Sequence, residues 1–201
     1  QLIIVSVLIN PGTEKVFSNL NLHIYKLYCM DFILRPWNIN DLASLVQCAN
    51  NINISKFLMN KFPHPYTEED GRKFIAFATM GNPANVFAIE IDGKAVGGIG
   101  IHPLSDVECK NAEMGYWLAE TYWGNGIITK AIKQMIEYGF ENFDINRIFA
   151  RPFGSNVASK RVLEKTGFVL EATFEKTFFK NGEYINKNTR ILAVFLLSKI
   201  N

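Results

Sequence analysis

Apolar positions along the chain switch between two rhythms. At Leu42, Leu45, Val46 and Ala49 they fall three and four apart, the spacing of one helix face, behind a cap offered by Asn38 or Asn40. A second face, Phe74, Ile75, Phe77 and Ala78, follows Thr67 and Asp70, which are spaced as a capping box. The longest is built from the pairs Ile127/Ile128, Ala131/Ile132, Met135/Ile136 and Gly139/Phe140, and predicts a helix buried against a sheet. A last helix is expected from a cap at Ser155 or Asn156 to Thr166, with Gly167 in the place of a left-handed C-cap.

Shorter apolar runs bounded by turn residues predict strands. They cover residues 32–34, stopped by Pro36, then 86–91 and 95–101, joined by the hairpin turn Asp92-Gly93. Further strands are expected at 112–118, at 147–151 before Pro152, at 168–174, and at 189–197 after a second turn at Asn181-Gly182. Residues 50–61 fit neither rhythm, and Pro63-His64-Pro65 reads as a rigid extended segment. The order β α α β β β α β α β β has no internal repeat and implies an α+β domain with one curved sheet.

Residues 1–29 stand apart. Their apolar stretch at 2–9 is interrupted by Ser6 and closed by Asn10-Pro11-Gly12. It has neither a basic region before it nor a small-residue cleavage site after it, so a secretory signal is not expected. Met30 is the first methionine. Residues 1–29 are therefore expected to be an extension, either a leader foreign to the domain or an extra strand packed on it, and residues 30–201 a single domain.

Composition narrows the function. With 201 residues and 48% hydrophobic positions, the chain can bury a real core. Its 21 basic and 19 acidic residues leave a net charge of +2, too neutral for a dedicated nucleic-acid or membrane-surface protein. No apolar run approaches the roughly 18 residues that span a bilayer. Cys29, Cys48 and Cys109 are widely spaced and outside any CxxC, which argues against a disulfide framework and a zinc site. His23, His64 and His102 form no metal-type pair, so no metal is expected, and the cytoplasm is the simplest setting.

Two segments could carry chemistry. Trp123-Gly124-Asn125-Gly126 lies between a strand and the long helix starting near Ile127. A helix N-terminus has unpaired N–H groups and partial positive charge, and two glycines let a diphosphate approach them. No GK[ST] follows, and Thr129 stands where a dinucleotide fingerprint needs its third glycine. An ordinary tight turn would also explain the segment. The second is Asn156-x-x-Ser159, whose side chains share one helix face and could meet a ligand; Ser155 and Asn156 could equally be caps alone.

Together these segments carry a resemblance. Ala112-Glu113-Met114-Gly115-Tyr116-Trp117-Leu118, then Tyr122-Trp123-Gly124-Asn125-Gly126-Ile127-Ile128-Thr129, then Asn156-x-x-Ser159-x-x-Val162-Leu163-Glu164-Lys165-x-Gly167-Phe168 resembles the GNAT superfamily of acetyl-CoA-dependent N-acetyltransferases. Leu34-Arg35-Pro36-Trp37 and Pro63-His64-Pro65-Tyr66-Thr67 are similar to its branch acting on ribosomal-protein N-termini, the RimJ/RimL-like enzymes. The likeness spans about residues 30–200 in order. It implies a central mixed, mostly antiparallel sheet, splayed between its fourth and fifth strands and flanked by helices on both faces.

The resemblance also implies roles. Trp123, Gly124, Asn125 and Gly126 would form the pyrophosphate loop, completed by the amides of Ile127, Ile128 and Thr129. The backbone of Trp117, Leu118 and Ala119 would pair with the pantetheine arm. Asn156 would bind the pantetheine end or a water, and Ser159 would protonate the leaving thiolate. An N–H near Leu118 would serve the oxyanion. Glu113 matches the catalytic Glu of histone-acetylating relatives, and burial would fit it to take a proton from an amine through water. It could also be a solvent-facing strand residue. Glu171, Tyr184 or a water chain are alternative bases.

The chain departs from the family at Thr121, where a Gln or Arg often stands, and at Phe178, where the ribosomal-stalk branch has a catalytic Glu. Lys130 and Lys133 could touch the adenosine phosphate, and Phe174, Phe178 and Phe179 could wall an acceptor pocket, although exposed lysines and core packing are the plainer readings. His64 reads more simply as a surface residue than as part of a substrate entrance.

The reaction expected is direct transfer of acetyl from acetyl-CoA to a primary amine, since no cysteine lies near the motifs. The first-choice acceptor is a protein N-terminal α-amine. The alternatives are a small-molecule amine (polyamine, amino sugar, amino acid or aminoglycoside) or a domain that binds acyl-CoA without catalysis. No nucleic-acid or membrane partner is expected, and the protein would be a monomer or homodimer.

Overall fold

Asp92 and Gly93 both have left-handed backbone, with φ of +49° and +76°. That geometry matches the twist of the strands it joins, β2 (Val86–Ile91) and β3 (Lys94–Pro103). In the computed structural model, which describes residues 31–174, 179–180, 182–184 and 189–191, this hairpin is the middle of a five-stranded sheet. The sheet order is β1-β2-β3-β4-β5, with β1 (Ile33–Pro36), β4 (Asn111–Leu118) and β5 (Arg147–Phe149). Neighbours are antiparallel from β1 to β4, whereas β5 runs parallel to β4. The extension expected at 1–29 lies outside the described residues.

Both sheet faces are covered. On one, Ile99 and Ile101 of β3 and Met114 and Leu118 of β4 pack against Ile127, Ala131, Ile132 and Met135 of α4 (Ile127–Asn142) and Leu163 of α5 (Val157–Lys165). On the other, Val86, Ala88 and Trp117 meet Leu45 and Ala49 of α1 (Leu42–Ala49) and Ile75 and Ala78 of α3 (Glu68–Ala78). Period-2 alternation along the strands divides the two sets.

The two predicted caps ahead of α1 and α3 form with local bonds. Thr67 and Asp70 make the capping box of α3. Asn38 and Asp41 make another, but around a short 3-10 turn that precedes α1. Asp41 is buried, and both its oxygens accept from Arg35, at 2.7 and 2.8 Å.

Three expectations need correction, and one open segment takes a form. Phe77 is half exposed, 51%, because it sits at the edge of the α3 face, where its ring stacks on His102. Residues 50–61 contain a short helix, α2 (Ile52–Ser55), capped by Asn51. Pro36 lies inside β1, which is an edge strand and needs no donor on its outer side. Residues 168–171 are not strand: Phe168 turns into the core after the left-handed Gly167, and β6 (Ala172–Phe174) begins later. It pairs with β9 (Thr189–Ile191), while β7 (Phe179–Lys180) pairs with β8 (Glu183–Tyr184). Phe178 and residues 192–197 of the last expected strand lie outside the described residues.

Candidate active site

The site begins where β5 stops. Pairing between β4 and β5 covers only residues 111–113 against 147–149, so among the described residues β4 continues through 114–118 paired with β3 on one edge and with no strand on its β5 edge. The Ala119 N–H donates to the Val96 carbonyl at 2.8 Å. By the alternation of an antiparallel ladder, Tyr116 and Leu118 therefore turn their backbone N–H and C=O away from β3 and into the gap, whereas Trp117 and Ala119 turn theirs toward β3. Of the three strand residues expected to offer backbone to a ligand, Leu118 is the one that faces the gap.

The gap is part of a cleft of about 300 Å³. Tyr116, Trp117 and Leu118 form its floor, the glycine loop and first turn of α4 one wall, and Asn156, Ser159 and Val162 of α5 another. Ile54 of α2, with Phe57 and Leu58 just after it, closes a third side. Ten of the predicted site residues line this cleft: Trp117, Leu118, Trp123, Gly124, Gly126, Ile127, Ile128, Thr129, Asn156 and Ser159. Ala119, Asn125 and Glu113 do not.

The glycine loop is held by its own side chains. The Trp123 indole N–H donates to the Leu118 carbonyl at 2.8 Å, which ties the loop to the end of β4. Asn125 turns back, its amide donating to the Tyr122 and Trp123 carbonyls. Gly124 and Gly126 have φ of +81° and +73°, a region that costs an L-residue about 1–2 kcal/mol. A Cβ built on either meets nothing within 4 Å, so the backbone there is open to a ligand. Gly126 is the N-cap of α4 and has no side chain to cap with, so the first-turn amides of Ile127, Ile128 and Thr129 receive no side-chain acceptor from it.

Across the cleft, Asn156 caps α5: its Oδ1 accepts the Ser159 N–H at 3.0 Å. Asn156 is thus both a cap and a cleft residue. The Ser159 hydroxyl lies 2.6 Å from the Tyr116 phenol oxygen. Burial pushes that phenol up to about 12, with the Ser159 hydrogen bond opposing to a lesser degree.

Glu113 stands outside the cleft, on the opposite face of β4 from Tyr116. Its carboxylate accepts two bonds from Arg151, at 2.8 and 2.6 Å. Beside it, in register, is His102, whose basicity burial lowers, with Glu113 opposing. Gly115, the next residue on that face, is exposed, and a Cβ there would meet nothing within 4 Å. Among the other bases considered, Glu171 pairs with Arg147, and Tyr184 is exposed against Phe179. His64, Thr121 and Lys133 are exposed.

Sequence reasoning missed three features of the site. Tyr116 lies within the β4 motif, whose sequence alone gives it no role. Glu120 accepts from the amides of Asn51 and Asn53, fixing α2 against the turn after β4; the Asn51 cap was the available signal. Lys180 donates to the Ser55 and Leu58 carbonyls at 2.9 and 2.6 Å, holding the β7–β8 hairpin on the α2 segment. Among the described residues no three His, Cys, Asp or Glu side chains are placed to hold a metal, and no helix is long and apolar enough to cross a membrane.

This architecture and sequence have known counterparts. Residues 31–169 match the family model described as "Acetyltransferase (GNAT) domain". YdaF of Bacillus subtilis (strain 168), provisionally named a ribosomal N-acetyltransferase, is 38% identical over 154 residues, 75% of this chain and 82% of that one. The ribosomal-protein-serine acetyltransferase of Escherichia coli (strain K12) is 30% identical over 90% of this chain and 97% of its own length. The spermidine N(1)-acetyltransferase of the same strain is 25% identical, covering 76% and 81%. The crystal structure of the microcin C7 self-immunity acetyltransferase MccE, in complex with acetyl-CoA and AMP, superposes with a TM-score of 0.70 at 25% identity, covering 83% of this chain and 93% of that one. The chain belongs to the GNAT family of acetyl-CoA-dependent acetyltransferases.

Proposed function

We propose that this enzyme transfers acetyl from acetyl-CoA to the α-amine of a protein N-terminus, by direct attack and without an acetyl-enzyme. One observation carries the reading. A single cleft gathers an uncapped helix N-terminus, a free strand edge and a hydroxyl on α5, and these are the contacts that a diphosphate, an amide-bearing arm and a leaving thiolate require.

The residues fit that ligand. The open backbone at Gly124 and Gly126 and the amides of Ile127, Ile128 and Thr129 would hold the diphosphate. The Leu118 N–H, aimed into the gap, would receive the pantetheine arm or the developing oxyanion, and Asn156 would meet the inner end of the arm. Ser159 would supply the proton to the sulfur. Glu113 would act from the other face of β4, through water and past the bare side-chain position at Gly115, with Arg151 orienting its carboxylate. Acid and base would thus approach the reacting carbon from opposite sides of one strand.

The spermidine-acetylating relative favours a second reading, a polyamine acceptor. Cleft chemistry weighs against it. A polycation needs unneutralised carboxylates, yet no Asp or Glu is among the described residues lining the cleft, which do include Lys165. The apolar wall at Ile54, Phe57 and Leu58 suits a peptide better.

The experiment has two steps. Acetyl-CoA, unlike ATP or NAD, should raise the melting temperature; binding only to the folded state gives about 2.7 kcal/mol at a hundredfold excess over Kd. CoA release should then be faster with a serine-initiated peptide than with spermidine. The reverse preference would overturn the acceptor, and no shift with acetyl-CoA would overturn the cleft assignment.

A further inference from the structure

We infer that Tyr116 is a positioning residue for the acid of the transfer step: its phenol donates to Ser159 Oγ and so turns the serine's own proton into the cleft. The inference rests on the acetyl-transfer reading above and deepens it. The two side chains come from β4 and α5, 43 residues apart, and both line the cleft. Their oxygens are 2.6 Å apart, a short hydroxyl–hydroxyl bond. Asn156 Oδ1 holds the Ser159 backbone from below.

Proton counting gives the direction. A phenol has one proton, and a serine hydroxyl has one proton and two lone pairs. Were Ser159 the donor, its proton would be spent on Tyr116. Among the described residues, the phenol proton would then have only the Ser159 main-chain carbonyl, 3.5 Å away, at the weak limit of a hydrogen bond. With Tyr116 as donor, the phenol keeps the short bond and the serine proton is free for the cleft. Burial keeps the phenol protonated near neutrality, so it remains a donor.

The step balances without consuming Tyr116. As the carbon–sulfur bond breaks, its electron pair goes to sulfur. The attacking nitrogen forms its bond to the acetyl carbon and gives its proton through water to Glu113; Ser159 Oγ gives its proton to the sulfur and is reprotonated from solvent. Tyr116 keeps its proton throughout and sets the direction in which the serine proton points.

The test uses the full chain with CoA and desulfo-CoA as probes, by calorimetry from about pH 7 to about pH 10, the range in which a thiol ionises. Among the described residues, the remaining titratable groups lining the cleft are Tyr122 and Lys165, and subtracting desulfo-CoA removes their part. In wild type, CoA should gain affinity over desulfo-CoA as pH rises, about tenfold for a thiol stabilised by one pK unit. Ser159→Ala should abolish this gain. Tyr116→Phe, which keeps the ring, should remove most of it, read as the ratio of CoA to desulfo-CoA affinity at each pH, and the double variant should lose no more than Ser159→Ala alone.

A Tyr116→Phe variant with the wild-type gain, or effects of the two variants that add, overturns the Tyr116 role. A wild type that binds both ligands without any gain overturns it as well, because Ser159 then does not meet the sulfur. A wild type that binds neither probe overturns the acetyl-CoA cleft itself, which is a separate and distinguishable failure.

Discussion

The indole N–H of Trp123 donates to the carbonyl of Leu118 at 2.8 Å, joining the glycine loop to the last residue of the free strand edge. The bond fixes the first-turn amides of α4 relative to the backbone that faces the gap. Trp123→Phe keeps an aromatic ring and loses the bond, worth about 0.5–1.5 kcal/mol. The KM for acetyl-CoA should rise by roughly threefold to tenfold while kcat changes little. Steady-state kinetics would check this, and a fall in kcat at constant KM would contradict the anchoring role.

Gly126 separates ligand effects from folding effects. Its φ of +73° makes Gly126→Ala strained by about 1–2 kcal/mol, and the new methyl would occupy open space beside the first-turn amides. The variant should stay folded, with acetyl-CoA affinity falling by more than tenfold. Thermal unfolding and calorimetry on the same sample would distinguish the two. Unchanged affinity would place the diphosphate elsewhere.

Glu113 and Arg151 can be separated by kinetics. Glu113→Gln should lower kcat at least tenfold with acetyl-CoA affinity intact, the scale on which positioned bases act (about 10²–10⁴) being the upper range. Arg151→Ala frees the carboxylate from its bidentate partner and leaves it unoriented, so a smaller loss of kcat is expected. If Glu113→Gln turns over like wild type, the base is water or another group and the pair is structural.

Asp41 should govern acid stability. Burial works against its charge, but the Arg35 guanidinium and the Asn38 amide hold the carboxyl below the usual aspartate range. A depressed native value means stabilisation that is present above the unfolded value, about 3.9, and lost as pH falls below it. Asp41→Ala should destabilise by about 1–3 kcal/mol near neutrality, because it removes a buried acceptor of Arg35 and of the Asn38 cap while Arg35 keeps Glu90. The difference from wild type should shrink below roughly pH 4. Denaturant unfolding at several pH values would measure it, and a pH-independent difference would assign the loss to packing and capping alone.

What was legible in the sequence was what neighbours in the chain decide. The Asp92-Gly93 turn, the Thr67–Asp70 box, the left-handed Gly167 and the long buried face of α4 each depend on residues within a few positions, so their chemistry is written in order. The ordered segments from Glu113 to Gly167 also carried the family, because the glycine loop and the two helix starts keep their spacing. Short α2 was illegible: four residues show no period, and its Asn51 and Asn53 side chains are held by Glu120, 69 and 67 positions away. Phe77 followed helical spacing yet fell at the edge of the covered face.

The site divides along the same line. Sequence alone determined which residues surround the glycine loop, since a strand end, a glycine turn and a helix start are contiguous. Only the tertiary structure decided that Tyr116 meets Ser159 and that Glu113 faces Arg151 on the other side of the strand, pairings 43 and 38 residues apart. Alternation put adjacent β4 residues on opposite faces, and the fold chose what each face would meet. Hydrogen bonds act over about 3 Å of space, so chain order cannot name such partners until packing of the sheet and helices has brought them together.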